Sequence, residues 1–431
     1  MKLIQQNMFF IGTIILVFLS GTIQAQNQKK TMDLTLWNWN TDYERMLWEK
    51  AQEEYNKLDK DFEVSISYEQ VPFTEIPERV KNNLNNKEAL PDILSIEYNQ
   101  WPEYLSLSLS DHLIPLNSVI EGREDELSEA TRREYIQNGN IYALPIQASP
   151  LIFAYRKDIM AKHNISMPLQ TWDAFLEAGK TLQAKGVDIA LFDVESLNVW
   201  MTLFQQLGGK VFNSGGEYIL PEYSNKAAET FRLMRDLQAG GGMTSSGNIT
   251  GFVEGELDNE LRTGSIAGIL HGDWILPMIK NHFPDLSSNW RVQPAPSWRS
   301  SPGTGVAMGG TGYALIDKNQ GDAAYTEALK DFLDFSVLSF KMQAIYYKNL
   351  KLQMTNLDLA NNKAAILLKD EYFSDQALAR DLRKAVKSME PRHLSTAQRM
   401  QKLTDTFNSV SQKIWDGANI ESAMQPLIEL F

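Results

Sequence analysis

Four of the ten tryptophans stand at or just beyond the ends of strand-like runs. Trp37 and Trp39 close the run that begins at Asp33, Trp101 follows Pro91-Asp92-Ile93-Leu94-Ser95-Ile96, and Trp274 follows Ile266-Ala267-Gly268-Ile269-Leu270. A flat indole can cover the apolar C–H face of a sugar ring, while Asp, Glu, Asn and Arg side chains hydrogen-bond the hydroxyls at its edge. Indoles also fill cores. Trp48, Trp172 and Trp415 lie within or beside amphipathic helical patterns and are expected to do so, and Trp200, inside a helical pattern, is open between the two roles. Trp290 and Trp298 fall in a Pro/Ser-rich stretch, where Trp298 is a candidate rim residue and Trp290 is left unassigned.

Other chemistry is poorly supported. The five histidines (His112, His163, His271, His282, His393) are too scattered for a His-x3-His metal pair, and no His-Glu-x-x-His occurs, so no metal is expected. No serine sits in Gly-x-Ser-x-Gly. The run Gly303-Thr304-Gly305-Val306-Ala307-Met308-Gly309-Gly310 has Met308 where a dinucleotide fingerprint needs its third glycine, and it precedes a strand instead of opening a helix. No Walker loop is present, and no cofactor is expected. With 54 acids a carboxylate pair at glycosidase spacing carries almost no information, and no catalytic residue is assigned.

These residues need elements to hold them. Phe62–Tyr68 alternates apolar and polar residues as a half-buried strand does, and Leu47, Ala51, Tyr55 and Leu58 make one apolar stripe on a helix before it. A helix through Ile76–Leu84 and a strand Pro91–Ile96 follow, and this β-α-β-α-β order predicts a parallel sheet whose ligands sit beyond the carboxyl ends of its strands. Ile141–Pro145 and Leu151–Tyr155 read as strands joined by a link, Ile146–Pro150, that can change sheets. A second αβ series comprises a helix capped by Thr171, a strand Asp188–Phe192, helices around Trp200–Leu207 and Asn225–Ala239, and a strand Ile266–Leu270. The Gly/Pro-rich stretch from Pro294 to Gly312 leads to a strand at Tyr313–Ile316 and is read as a second crossing. From Asp322 onward the pattern is almost wholly helical.

Length and charge set bounds. At 431 residues with 43% apolar content, two or three domains with sizeable cores are expected. A net charge of −13 disfavours nucleic acid as a partner. Lys2, an apolar run of about twelve residues from Met8 to Leu19, and Ser20–Ala25 have the anatomy of a signal peptide, too short for a spanning helix. Its removal would take Lys2 and no acid, leaving −14. With no cysteine there is no disulfide and no lipid-modified N-terminal Cys, so a periplasmic protein without a lipid anchor is expected.

The order of motifs resembles the extracellular solute-binding proteins of ABC importers, in the carbohydrate group that includes maltose-binding protein. The resemblance covers nearly all of the chain after the signal peptide. It rests on Trp37-Asn38-Trp39, Pro91-Asp92-Ile93, Tyr142-Ala143-Leu144-Pro145 with Ser149-Pro150 and Tyr155-Arg156-Lys157-Asp158, and Thr171-Trp172-Asp173-Ala174-Phe175. It continues through Gly208-Gly209, Gly264–Gly268 to Gly272-Asp273-Trp274, Pro294-Ala295-Pro296, Gly309-Gly310 to Ala314–Ile316, and Ala328–Leu333. Members often read Tyr-Asn where this chain reads Tyr155-Arg156.

The resemblance implies an α/β, two-lobe periplasmic binding protein fold of type II-like topology, with interleaved lobes and a hinge. Lobe 1 would take residues 26–147 and 303–336, and lobe 2 residues 148–302 and 337–431, with a third crossing near Phe335–Ser339. It implies capture of a sugar or oligosaccharide between the lobes and delivery to membrane permease subunits, by a monomer with no covalent chemistry. The ligand-binding residues it implies are Trp37, Asn38, Glu97, Tyr98 and Trp101 from the first lobe, Ser149 and Tyr155 near the first crossing, and Asp273 and Trp274 from the second lobe. Gly309 to Thr311, with Gly310 and Thr311 as the named candidates, would let backbone approach the ligand, and Trp200 is added to the set from the tryptophan pattern. The rival readings are a secreted glycosidase or lyase using the same aromatic platforms, and a binding protein of this fold that serves a sensor or takes a non-sugar ligand.

Overall fold

The computed structural model describes residues 29–39, 44–107, 109–193, 195–240, 243–244, 257–318 and 322–431, and the signal peptide expected at residues 1–25 lies outside them. Strand β1, Lys30–Asn38, pairs in parallel with β2, Phe62–Gln70, along its whole length. The helix Glu44–Tyr55 joins them and buries Leu47, Trp48, Ala51 and Tyr55, the face that its spacing predicts. On the other side of β1 lies β3, Ile93–Glu97, parallel to it and buried except at Glu97. A run that is apolar apart from the small, buried Ser95 suits a strand covered on both faces.

After a short hairpin, β4 (Ile136–Gln137) and β5 (Asn140–Ile141), comes β6, Ala143–Pro145. The second sheet then begins with β7, Leu151–Arg156, followed by β8 (Ala190–Leu191), β9 (Met243–Thr244), β10 (Gly268–Gly272) and β11 (Trp290–Pro294). The chain returns to the first sheet as β12, Thr311–Leu315, which runs antiparallel between β3 and β6. The sheets are ordered β2-β1-β3-β12-β6 and β11-β7-β10-β8-β9. Each anchors one α/β lobe.

β11 was not expected from the sequence. Trp290 and Val292 alternate with polar residues over only five positions, and the pairing that fixes them as a strand is with β7, far away in the chain. Trp290 is fully buried, and Trp298 is buried with its Nε1–H on the Leu203 carbonyl at 3.2 Å, so neither is a rim residue.

Three crossings lie side by side. Leu151 N–H donates to Val306 O at 2.8 Å and Met308 N–H to Ser149 O at 2.9 Å, which pairs the first crossing with the second. Ala148 N–H donates to Gln353 O at 2.7 Å, and Gln147 bridges Met354, which places the third crossing at about 353–355. It is not at Phe335–Ser339, because residues through Leu338 continue the helix Ala323–Leu338. Met342, Tyr346, Leu350, Leu352 and Leu359 pack in the same core as Leu34, Leu36 and Phe332, so the chain stays with the first lobe well past residue 337. No helix among the described residues is long and apolar enough to cross a membrane.

Candidate functional site

Between the lobes is a cleft of about 1230 Å³. Its first-lobe wall is set by the carboxyl end of β3. Glu97 Oε2 accepts the Asn99 N–H at 2.6 Å and so starts a tight turn, Tyr98–Gln100, and Pro102 then helps open the helix Trp101–Ser106. This presents Tyr98 and Trp101 along the cleft, both largely buried, with edge contacts from Tyr135 at 6.1 and 6.0 Å. Trp101 Nε1–H is buried and has no hydrogen-bond partner among the described residues. The second lobe contributes Ser214–Gly216 and the stretch Arg392–Arg399.

Arg392 reaches across this cleft. Its Nη1 donates to Asn198 Oδ1 at 2.7 Å and to Asn99 Oδ1 at 3.4 Å, its Nη2 to Thr202 Oγ1 at 2.7 Å and Ala307 O at 3.0 Å, and its Nε to Gln205 Oε1 at 3.1 Å. Its carbonyl accepts the Tyr98 hydroxyl. Asn198, Thr202 and Gln205 share one helix face, and Ser196 caps that helix by accepting Asn198 N–H at 3.2 Å. Arg392 and the nearby Glu134 were not singled out from the sequence. Glu390-Pro391-Arg392-His393 interrupts what reads as continuous helix, and the proline is the one local signal that a functional loop begins there.

Two buried carboxyls stand at this wall: Glu134 lines the cleft and Glu97 ends β3. Burial pushes Glu97 up to about 7, opposed by hydrogen bonds from Asn99 and Gly310 and by the Arg392 charge. Burial raises Glu134 well above the carboxylate range, the Glu97 charge raises it further, and Arg392 opposes both. The carboxyls rest on glycine: a Cβ at Gly309 would lie 3.0 Å from Glu97 Oε1, and one at Gly310 3.1 Å from Glu134 Oε2. Gly309 and Gly310 thus admit these side chains, where the resemblance had implied close approach to ligand. Gly310 O and Thr311 are held inside the first sheet, the former by Tyr98 N–H at 2.9 Å.

The other residues that the resemblance implied lie apart from this cleft. Trp37 is buried in the first lobe, in the cluster that also holds Tyr98 and Trp101, with its Nε1–H on Glu69 Oε2 at 2.8 Å and its ring under the Arg79 guanidinium at 4.1 Å. Asn38 is fully buried beside the Tyr313 hydroxyl. Ser149, at a φ of 43°, accepts from Gln147 Nε2 at 2.9 Å within the first crossing. Tyr155 is near the far end of β7, stacked on Phe153 at 5.4 Å, and Arg156 is spent on Asp158 and the Leu261 carbonyl. Trp200 is core, stacked on Phe204 at 4.8 Å and packed against Phe231 and Phe407. Asp273 is buried at the hinge. Trp274 packs against the first core and against one of the second, with His271 edge-on at 4.7 Å. Of these, strand-end position marked Trp37 and Trp274, and both pack against apolar clusters.

Residues 40–337, more than half of the chain, match the model of a family described as bacterial extracellular solute-binding protein. Among curated proteins, an arabinooligosaccharide-binding protein of Bacillus subtilis (strain 168) is 24% identical over 313 residues, 70% of this chain and 69% of that protein. Among solved structures, the GacH receptor of Streptomyces glaucescens superposes with a TM-score of 0.73 at 16% identity, covering 93% of this chain and 97% of that one. A binding protein associated with an ABC transporter of B. animalis subsp. lactis, in complex with beta-1,6-galactobiose, superposes with a TM-score of 0.72 at 19% identity, covering 93% and 98%. The fold, the three crossings and the matched family agree, and the chain belongs to the bacterial extracellular solute-binding proteins.

Proposed function

We propose that the protein is the exported substrate-binding component of an ABC importer, taking a sugar or oligosaccharide into the interlobe cleft and handing it to membrane permease subunits. The observation that carries this reading is a cleft of about 1230 Å³ walled by both lobes and flanked by Tyr98, Trp101 and polar side chains. That exceeds the roughly 300–1,000 Å³ of an ordinary small-molecule pocket and leaves room for more than one sugar ring. A ligand touching both walls favours the arrangement in which the lobes meet, and the composite surface so formed is what a permease reads.

On this reading the protein acts by binding alone, as a monomer, free in the periplasm once residues 1–25 are removed. Arabino-oligosaccharides, named for the Bacillus subtilis relative, are the first ligands to test, followed by galactosides and malto-oligosaccharides. A thermal-shift screen should find a raised melting temperature with one class, because a ligand that binds only the native state stabilises it. Calorimetry should then give one site, and chromatography should return the sugar unaltered. A panel with no stabilising sugar would count against the reading, and a cleaved product would replace it with the enzyme.

A further inference from the structure

Two arginines stand on the second-lobe side of the cleft, Arg392 and Arg399. A guanidinium carries five N–H donors. Those of Arg392 are engaged by oxygens of Asn99, Asn198, Thr202, Gln205 and Ala307. Arg399 donates only once, from Nη1 to Gly216 O at 2.9 Å, and its other donors have no partner among the described residues. That carbonyl is fixed by its turn. Asn213 Oδ1 accepts the N–H groups of Gly215 and Glu217 at 2.9 and 3.0 Å, Gly216 lies at a φ of 76°, and Ser395 Oγ donates to the same Gly216 O at 2.9 Å.

Arg399 also stands where its helix, Ala397–Trp415, disfavours it. Thr396 caps this helix by accepting the Arg399 N–H at 3.4 Å, which puts Arg399 at the third helical position. That position suits Glu or Gln, whose side chain can reach back to the cap, and the positive end of the helix dipole repels a cation. Lys402 follows three residues later as a second cation on the same face. Phe431 offsets this. Its ring lies 5.1 Å from the Arg399 guanidinium and 4.7 Å from Lys402 Nζ. The ring is held in turn: Tyr218 meets it edge-on at 5.0 Å, Lys402 Nζ donates to Leu430 O at 2.7 Å, and the Tyr218 hydroxyl donates to Leu427 O.

We infer that Arg399 is the second lobe's ligand-binding cation, hydrogen-bonding the hydroxyl oxygens of a sugar in the cleft, and that Phe431, which does not line the cleft, is the positioning residue that aims it. The inference rests on the solute-binding reading and adds two residues to it. Held at a carbonyl and at a ring face, the guanidinium has already lost much of its rotamer freedom, so less is lost when a ligand binds. Its planar fork can meet two neighbouring hydroxyls of one sugar ring, whereas an ammonium would act as a point charge. Arg399 and Ser214–Gly216 line one side of the cleft and Trp101 the other, so a sugar that touches both bridges the lobes. A cation held against its helix's local preference is the kind of inconsistency that function explains.

The test is calorimetric titration of the whole protein with arabinotriose, lactose and maltotriose, the sugar that binds being carried into the variants. Arg399→Met should lower affinity by about ten- to hundredfold. Phe431→Leu keeps apolar bulk and loses the ring face, and should lower it by about two- to fivefold, while Phe431→Tyr should bind as wild type does. The double variant Arg399→Met, Phe431→Leu should bind no worse than Arg399→Met alone, because Phe431 acts through Arg399. Melting temperatures of the ligand-free single variants should stay close to wild type, since Phe431 is 48% exposed and Arg399 only half-buried. Wild-type affinity in Arg399→Met overturns the inference. Wild-type affinity in Phe431→Leu, an equal loss in Phe431→Tyr, or a further loss in the double variant overturns the positioning role. If Arg399→Met binds too weakly to measure, Phe431→Leu against Phe431→Tyr decides that role. Binding of none of the three sugars would overturn the solute-binding reading for these classes and this inference with it, whereas a sugar bound equally by wild type and Arg399→Met would overturn this inference alone.

Discussion

The backbone N–H of Gln353 donates to Oδ2 of Asp273 at 2.6 Å, fastening the third crossing to the turn between β10 and the helix Ile275–His282. The carboxyl is fully buried, and its Oδ1 has no partner among the described residues. Burial pushes it up to about 7, against the pull of the Gln353 N–H. Because the folded value is raised above the ordinary value of about 3.9, the stability it contributes is complete below that value and is lost as the pH rises through about 7. Asp273→Asn keeps an acceptor for Gln353 and removes the titration. At pH 8 the variant should be more stable than wild type by about 1–3 kcal/mol, with little difference at acid pH. Thermal melts at the two pH values check this, and a less stable variant at pH 8 would refute it.

Trp101 lines the cleft with an unpartnered indole N–H. Trp101→Phe keeps an aromatic ring and deletes that donor. If the donor meets a sugar hydroxyl, affinity should fall by about 1–3 kcal/mol while the melting temperature of the free protein changes little. Calorimetry with the sugar found by thermal shift decides it, and unchanged affinity would make Trp101 a wall residue only.

Trp200 makes the opposite case. Its ring is wholly inside a cluster with Phe204, Phe231 and Phe407. Trp200→Ala should cost about 3–5 kcal/mol of stability by leaving a cavity. The sugar affinity of the fraction that remains folded should be that of wild type. A selective loss of affinity with unchanged denaturant midpoint would return Trp200 to the binding site.

Asp370 holds the second lobe to the end of the first lobe's helical extension. It is 5% exposed, lies 3.0 Å from Lys280 Nζ and 3.9 Å from Lys351 Nζ, and accepts the Tyr372 N–H at 2.9 Å. Asp370→Ala strands two lysines, one of them Lys351, which is already pushed down by its own burial. A loss of about 3–5 kcal/mol is expected by chemical denaturation. A loss below about 1 kcal/mol would show that water takes over the role of the carboxylate.

Local pattern carried most of the elements. The stripe Leu47-Ala51-Tyr55 and the Thr171 cap, which accepts Ala174 N–H at 3.2 Å, are decided by residues within one or two turns. β11 was not legible, because only its partner β7 makes it a strand. The third crossing was misplaced because nothing local distinguishes a helix that stays with its lobe from one that leaves it, and the deciding contacts are Ala148 to Gln353 and Leu352 to a distant core. The cleft was legible only in part. Tyr98 and Trp101 follow directly from a strand end, whereas Arg392 and Glu134 meet there from segments more than 250 residues apart.

The late arrival of β12 bears on how the chain reaches its native state. Thr311 pairs with Glu97, and Gly312 also pairs with Pro145, so a strand inside the first sheet comes from a part of the chain made long after both of its neighbours. A polypeptide emerging vectorially cannot complete that core until most of the second lobe has also emerged. Premature compaction is thereby delayed during synthesis, which suits a chain that must stay threadable for export, and the two lobes finish together once the chain is released.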